Sequence, residues 1–262
     1  MFLLKQLFLL SYKRIIFFIK KIFYSNKKFF LKKNETENFK TKLKKNGYLV
    51  IDNFYDHKTC ENIIQEINKF KENNKNLIWR DNNDCEFRIF GAEKIDKKLF
   101  DFFSNKKLID VGSNCLGREI SNLMTMANKI KGEKNNLGSG GGWHRDDINF
   151  QYKAILYLCD VNDKNGPFQL IKNSNKFFNI FLDSIKLKLD ILNTRIDEKY
   201  ISILDQRRIK TITGKAGTLI LVDTSLIHRG KPLVSGCRYA LTNYYYPYYQ
   251  VDSMKNHFLP KI

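Results

Sequence analysis

After residue 120 the chain breaks into short apolar or β-branched runs, and this punctuation limits its fold more than any other feature. The runs fall at 123–130, 153–160, 168–171, 211–213, 217–223 and 238–245, with turn formers such as Asn165-Gly166-Pro167 between them. Runs of this length bounded by Gly, Pro and Asn read as strands. Before residue 120 the pattern is mostly helical. Residues 34–45 predict a helix stopped by Asn46-Gly47, and 48–54 a strand. Asp56 is then placed to cap a helix in which Cys60, Ile63, Ile64, Ile67 and Phe70 share a face. The polar stretch 72–84 reads as a loop anchored by Trp79, 99–120 as further helix, and 177–202 as an amphipathic helical insertion. Strands after helices, with no internal repeat, predict a mainly β fold with flanking α: a jelly-roll (cupin-like) barrel with N-terminal helices.

Charge divides the chain at a different point. The formal net charge is +19, but residues 1–45 hold 13 Lys/Arg against 2 Asp/Glu, leaving the other 217 residues with a net of only +8. A moderately basic body without a nucleic-acid reading motif makes nucleic acid an unlikely partner. Lys13/Arg14, Lys20/Lys21 and Lys27/Lys28 recur every seven residues, which returns to nearly the same side of a helix. Leu4, Phe8, Ile15, Ile19 and Ile22 fall on the other side. No uncharged run reaches the roughly 20 residues needed to span a bilayer, and no small-residue cleavage site follows. Residues 1–33 are therefore expected to be a basic amphipathic leader helix lying on an anionic membrane surface, peripheral on the inner face, with 34–262 as the catalytic domain. The competing expectation is a helix packed on that domain. Five scattered cysteines, none in C-x-x-C spacing, read as free thiols in the reducing cytoplasm.

The chemistry concentrates in 137–169. His144 and Asp146 form an H-x-D pair after a glycine-rich stretch that holds Gly132, Gly138, Gly140, Gly141 and Gly142. In extended backbone, residues i and i+2 share a face, so this imidazole and carboxylate converge. Glycines here serve close backbone approach or a hinge, and the loop is placed to act as a lid. His228 follows the apolar run at 217–223, 84 residues after His144. Two histidines and a carboxylate make the facial triad that holds non-haem Fe(II) with positions left open. Arg238 stands ten residues further on, suited to grip a carboxylate with both arms of its guanidinium. Gln151, Lys153, Ile155 and Tyr157 alternate onto one strand face, from which Lys153 and Tyr157 reach the same pocket; Asn128 and Lys129 are weaker candidates. An H-x-D pair alone also arises by chance, and Asp147 competes with Asp146 until the strand period favours the latter. Asp147 is then left to cap a turn, Arg145 to make a structural ion pair, and Arg229 to be a rim charge or to meet an anionic substrate. His57 and His257 lie outside any ligand spacing and read as surface residues, and the tyrosines at 244–246, 248 and 249 read as core filling.

Four segments in order carry a resemblance: N-G-Y-L-V-I-D-N-F from Asn46, W-H-R-D-D from Trp143, Y-L-C-D-V-N-D-K-N-G-P-F-Q-L-I from Tyr157, and G-T-L-I-L-V-D-T-S-L-I-H-R-G from Gly217, followed by Arg238. Over 46–246 the chain resembles the phytanoyl-CoA dioxygenase-like branch of the Fe(II)/2-oxoglutarate oxygenases. The resemblance implies a double-stranded β-helix in which His144, Asp146 and His228 bind iron and Arg238 holds the distal carboxylate of 2-oxoglutarate. It implies consumption of molecular oxygen and 2-oxoglutarate, release of succinate and CO2, and hydroxylation of a small-molecule, lipid-linked or sugar-containing substrate. Two positions depart from the family pattern. Asn173-Ser174-Asn175 stands where G-S-H is common, and Gly230 where a hydroxyl often helps hold the cosubstrate. Neither removes a ligand. The alternative from another class is a catalytically silent jelly-roll that binds a ligand. Substrate choice is expected to lie in 72–86 and 177–208.

Overall fold

The computed structural model describes residues 1–23, 35–82, 84–132 and 137–258. Its helices are α1 (Phe2–Phe23), α2 (Glu35–Asn46), α3 (His57–Asn73), α4 (Lys97–Phe103), α5 (Lys106–Leu116), α6 (Phe177–Leu187), α7 (Glu198–Ile201) and α8 (Val251–Phe258). Its strands are β1 (Tyr48–Ile51), β2 (Trp79–Arg80), β3 (Glu86–Phe90), β4 (Ile120–Lys131), β5 (Tyr152–Tyr157), β6 (Phe168–Ile171), β7 (Ile209–Ile212), β8 (Leu219–Asp223), β9 (His228–Gly230) and β10 (Cys237–Pro247). They form a seven-stranded sheet ordered β1-β8-β5-β10-β4-β3-β2 and a three-stranded sheet ordered β7-β6-β9. All pairings are antiparallel. This is the expected jelly roll, a double-stranded β-helix with flanking helices.

Period-2 alternation gives the large sheet two unlike faces. Tyr152, Ala154 and Leu156 of β5, with Leu219 and Leu221 of β8 and Leu241 of β10, pack on Cys60, Ile63 and Ile67 of α3 and on Leu99, Leu108 and Val111 of α4 and α5. Each fully buried leucine or isoleucine here contributes about 1.5–3 kcal/mol relative to exposure. The other face looks toward the small sheet. There Tyr157, Phe168, Leu170, Ile212, Ile220, Val222 and Leu226 form a second apolar cluster, and Tyr157 and Phe168 also line a cavity beside it.

Local signals account for the helix ends. Gly47, at φ +81°, follows α2, and the Asp56 carboxylate accepts from Thr59 N at 2.7 Å to cap α3. The expected insertion at 177–202 is two helices rather than one. Lys188 turns left-handed at φ +53° and ends α6, and the chain then runs extended past Trp143–Arg145. Ile196 N donates to Trp143 O at 3.0 Å and Arg145 N to Thr194 O at 2.9 Å, backbone partners that a helix would forgo. The stretch read as loop contains β2, and β3 follows it. Trp79 is no buried anchor: it stays 37% exposed under the Arg88 guanidinium, 4.6 Å from its ring centroid.

Among the described residues the leader forms α1, and the expected third cation pair, Lys27/Lys28, lies outside them. No helix among the described residues is long and apolar enough to cross a membrane.

Candidate metal and cosubstrate site

The H-x-D pair does not sit in a regular strand. His144 forms isolated antiparallel bridges with His228 on one side and Arg195 on the other. His144 N donates to His228 O at 2.9 Å and His228 N to His144 O at 2.7 Å, so the two imidazoles are placed by a direct backbone pair. Asp146 N donates to Thr224 O at 3.0 Å, fixing the carboxylate two residues along. Beneath this, the buried Asp223 carboxylate accepts from Ser225 N and Oγ, Gln151 N and Asn175 Nδ2, holding the turn between β8 and β9. Asn175 therefore has a scaffold role at one of the positions that departs from the family pattern.

One donor atom from each of His144, Asp146 and His228 lies within 4.8 Å of the others. The ring orientations suit a metal. His144 Nδ1 is 2.9 Å from Gly142 O and His228 Nδ1 is 2.8 Å from Leu226 O, so each ring keeps its proton on Nδ1 and turns a bare Nε2 inward. Burial lowers both imidazole pKa values, that of His228 to about 3, against the opposing pull of Asp146. Both rings are thus neutral and able to ligate at pH 7. Burial would raise the Asp146 pKa, but the Lys153 ammonium overcomes it and holds the carboxylate ionised. Lys153 Nζ takes Asp146 Oδ2 at 2.7 Å, while Oδ1 faces His144 Nε2 at 3.8 Å. Three converging donors that line a cavity are what a facial Fe(II) site requires.

A cavity of about 350 Å³ opens beside the triad. The inner faces of β5 (Lys153, Ile155, Tyr157) and β10 (Arg238, Ala240, Thr242, Tyr244) line it, as the alternation predicts. Gln151, placed on the same face, instead binds Tyr245 O through its amide at 2.8 Å. Asn128 lines the cavity, whereas Lys129 lies over the Tyr239 ring on the opposite face. Arg238 is 5% exposed; it donates to Gly166 O, and its Nε is buried without a partner. An orphaned guanidinium N–H at the cavity wall fits a carboxylate ligand. The Tyr157 hydroxyl accepts from Phe168 N at 2.8 Å and donates to Ile212 O at 2.9 Å, so this residue meets the cavity with its ring.

The glycine-rich loop is fastened rather than hinged where it is described. A Cβ on Gly138 would stand 2.0 Å from Gly230 O, and one on Gly140 2.5 Å from His144 Cε1. Gly230 N donates to Ser139 O at 3.0 Å, and Arg195 binds Gly140 O and Gly141 O. Gly230, where a hydroxyl is common, is where this loop passes closest.

Other residues fall away from the triad. Asp147 caps a turn through Asn149 N at 2.7 Å, and Arg145 is buried beside Ser174 O, with burial lowering its pKa to about 10. Arg229 is paired with Glu198 and Gln169 and stacked 4.3 Å from the Trp143 ring centroid, which makes it a structural rim residue. Sequence reasoning missed Arg88, Glu86, Ser139 and Arg195. Glu86 accepts from Arg88, Asn128 and Ser139, joining β3, β4 and the glycine loop. The alternation of Glu86 and Arg88 with buried Phe87 and Ile89 was the available signal.

A family model for phytanoyl-CoA dioxygenase matches residues 43–240, a span that includes all three triad residues and Arg238. The chain belongs to that family. It is an Fe(II)- and 2-oxoglutarate-dependent dioxygenase, as the family's enzymes are, and the donor set of two imidazoles and one carboxylate fits the metal. In sequence it is similar to the ectoine dioxygenase of Bordetella parapertussis, at 21% identity over 73% of this chain and 68% of that one. In structure it resembles EctD from S. alaskensis with bound Fe, with a TM-score of 0.64, 18% identity and coverage of 83% of this chain and 79% of that one. It also resembles the α-ketoglutarate-dependent carbocyclase SnoK of nogalamycin biosynthesis, with a TM-score of 0.61, 13% identity and coverage of 82% and 85%. At such identities the structural likenesses establish the fold.

Proposed function

We propose that His144, Asp146 and His228 hold the ferrous ion and that Arg238 receives the distal carboxylate of 2-oxoglutarate, in a hydroxylase of a small-molecule, lipid or sugar-containing substrate. The observation that carries this reading is the convergence of three donors within 4.8 Å, both imidazoles anchored through Nδ1. Iron, when bound, would supply the activation of dioxygen, which is the oxidant, and 2-oxoglutarate two of the four electrons that reduce it, with succinate and CO2 as co-products. The protein's own residues orient and exclude. The carbonyls of Gly142 and Leu226 aim each Nε2 at the metal position, and Lys153 occupies one oxygen of Asp146 so that the other ligates. Lys153 and Tyr157 bound the space for the cosubstrate, the first with charge and the second with its ring face.

The substrate enters, on this reading, from an adjoining cavity of about 420 Å³ that shares Arg88, Gly140 and Arg195 with the first. Trp79, Asp81, Asn82 and Glu86 line it together with Arg195, so both segments expected to govern specificity contribute. The free thiols of Cys60, Cys115, Cys159 and Cys237 support a cytoplasmic enzyme. The catalytically silent jelly roll is not favoured, since a binding module has no need of a complete donor set. The test is to supply iron-loaded protein with 2-oxoglutarate, oxygen and fractionated lipid, nucleotide-sugar and metabolite pools. Oxygen-dependent succinate matched by a product that has gained one oxygen atom supports the proposal; no such succinate in any pool, with none in the substrate-free background, contradicts it.

A further inference from the structure

Helix α1 turns a mixed polar and apolar stripe toward the body of the protein and leaves an apolar stripe outside. Its inward stripe is Gln6, Leu10, Arg14, Phe17 and Lys21, at helical spacing of three and four. Gln6 and Leu10 are fully buried; Gln6 Oε1 accepts from Ile191 N at 2.8 Å, and Leu10 packs on Ile148, Ile180 and Ile191. Arg14 donates to Asn175 O at 3.0 Å, and Phe17 lies under the Arg118 guanidinium. Polar and cationic groups thus face the protein alongside Leu10 and Phe17. Leu4, Phe8, Ile15, Phe18, Ile19 and Ile22 face outward and are 43–69% exposed. On α6, which packs beside α1, Phe178 and Leu182 are likewise exposed.

An apolar stripe about five turns long has no place on a surface meant for water alone. We infer that this face of α1 seats on the surface of an anionic lipid bilayer, with the helix axis in the plane of the interface. Charge argues for lipid over a second copy of the chain. Of the five cations of the helix, Arg14 and Lys21 lie on the inward stripe and Lys5 pairs with Asp190, which leaves Lys13 and Lys20, and the helix holds no acidic residue. Lys13 and Lys20 are exposed at the edge between its two faces, where they reach a lipid headgroup as the stripe enters the acyl boundary. A two-fold contact through the same stripe would instead set like charges against like, with no acid on either helix. Helix length and hydropathy fit a helix that lies in the interface rather than one that spans it.

The test is co-sedimentation of the full chain with vesicles of phosphatidylcholine alone or mixed with phosphatidylglycerol, at low and high salt. The wild-type chain should pellet with the anionic vesicles and be released by salt. The pair Phe8→Glu and Ile15→Glu should leave it in the supernatant, and Lys13→Gln and Lys20→Gln should each lower partition about fivefold. Substrate-free succinate formation should be unchanged in all of them, which separates this result from any failure of the oxygenase reading. Wild-type protein that stays in the supernatant overturns the inference. So does equal pelleting of the glutamate pair, or a dimer in sedimentation velocity that Phe8→Glu dissociates.

Discussion

The two faces of β5 and β10 are made by alternate residues of the same two strands, and they behave as different materials. Toward the helices they present Tyr152, Ala154, Leu156, Tyr239 and Leu241, all buried in one apolar cluster. Toward the small sheet they present Lys153, Tyr157, Arg238, Thr242 and Tyr244, around a cavity that holds ionised groups. Because successive side chains alternate, each strand carries stability on one face and chemistry on the other, and the rigid first face is what keeps the second in register. A substitution on one face should leave the other's property intact.

The largest test of that separation is loss of a ligand. His144→Ala or His228→Ala should abolish iron binding and succinate formation, measured by metal analysis and coupled assay, while the thermal unfolding of the metal-free protein changes little. Next is the opposite face of the same strand. Leu156→Ala, at a position with 0% exposure, should cost about 2–5 kcal/mol in urea unfolding, with iron and 2-oxoglutarate affinity per folded molecule unchanged. Lys153→Met should weaken iron binding by roughly 10–100-fold, because Asp146 loses the partner that fixes which oxygen faces the metal. Smallest is Arg238→Lys, which should raise the KM for 2-oxoglutarate by roughly tenfold while leaving the Kd for iron as it was. If Leu156→Ala abolishes metal binding in the folded protein, or Lys153→Met chiefly lowers stability, the two faces are not separable as argued.

What could be read in the sequence follows from how local its cause is. The strand runs, the cap at Asp56, the stop at Gly47 and the inward set Lys153, Ile155 and Tyr157 all rest on neighbours in sequence, and the structure has them. The isolated bridges that seat His144 between His228 and Arg195 join residues more than fifty positions apart, and no period announces them. The same long-range pairing breaks the expected helix at 177–202, since Thr194 and Ile196 gain partners from the segment that carries the triad. β9 is three residues long, too short to show a period, although it bears His228. For α1 the heptad spacing of cations correctly separates two sides. Only tertiary contacts with Asp190, Ile191 and Asn175 decide that the polar side turns inward.

The central claim is that His144, Asp146 and His228 share one ferrous ion next to a 2-oxoglutarate site. Anaerobic titration of the protein with Fe(II) in the presence of 2-oxoglutarate, followed by visible absorption, tests it most directly. The account predicts a weak charge-transfer band that saturates at one iron per chain and is missing in Asp146→Ala. No band in the wild-type protein, or an undiminished band in that variant, would contradict it.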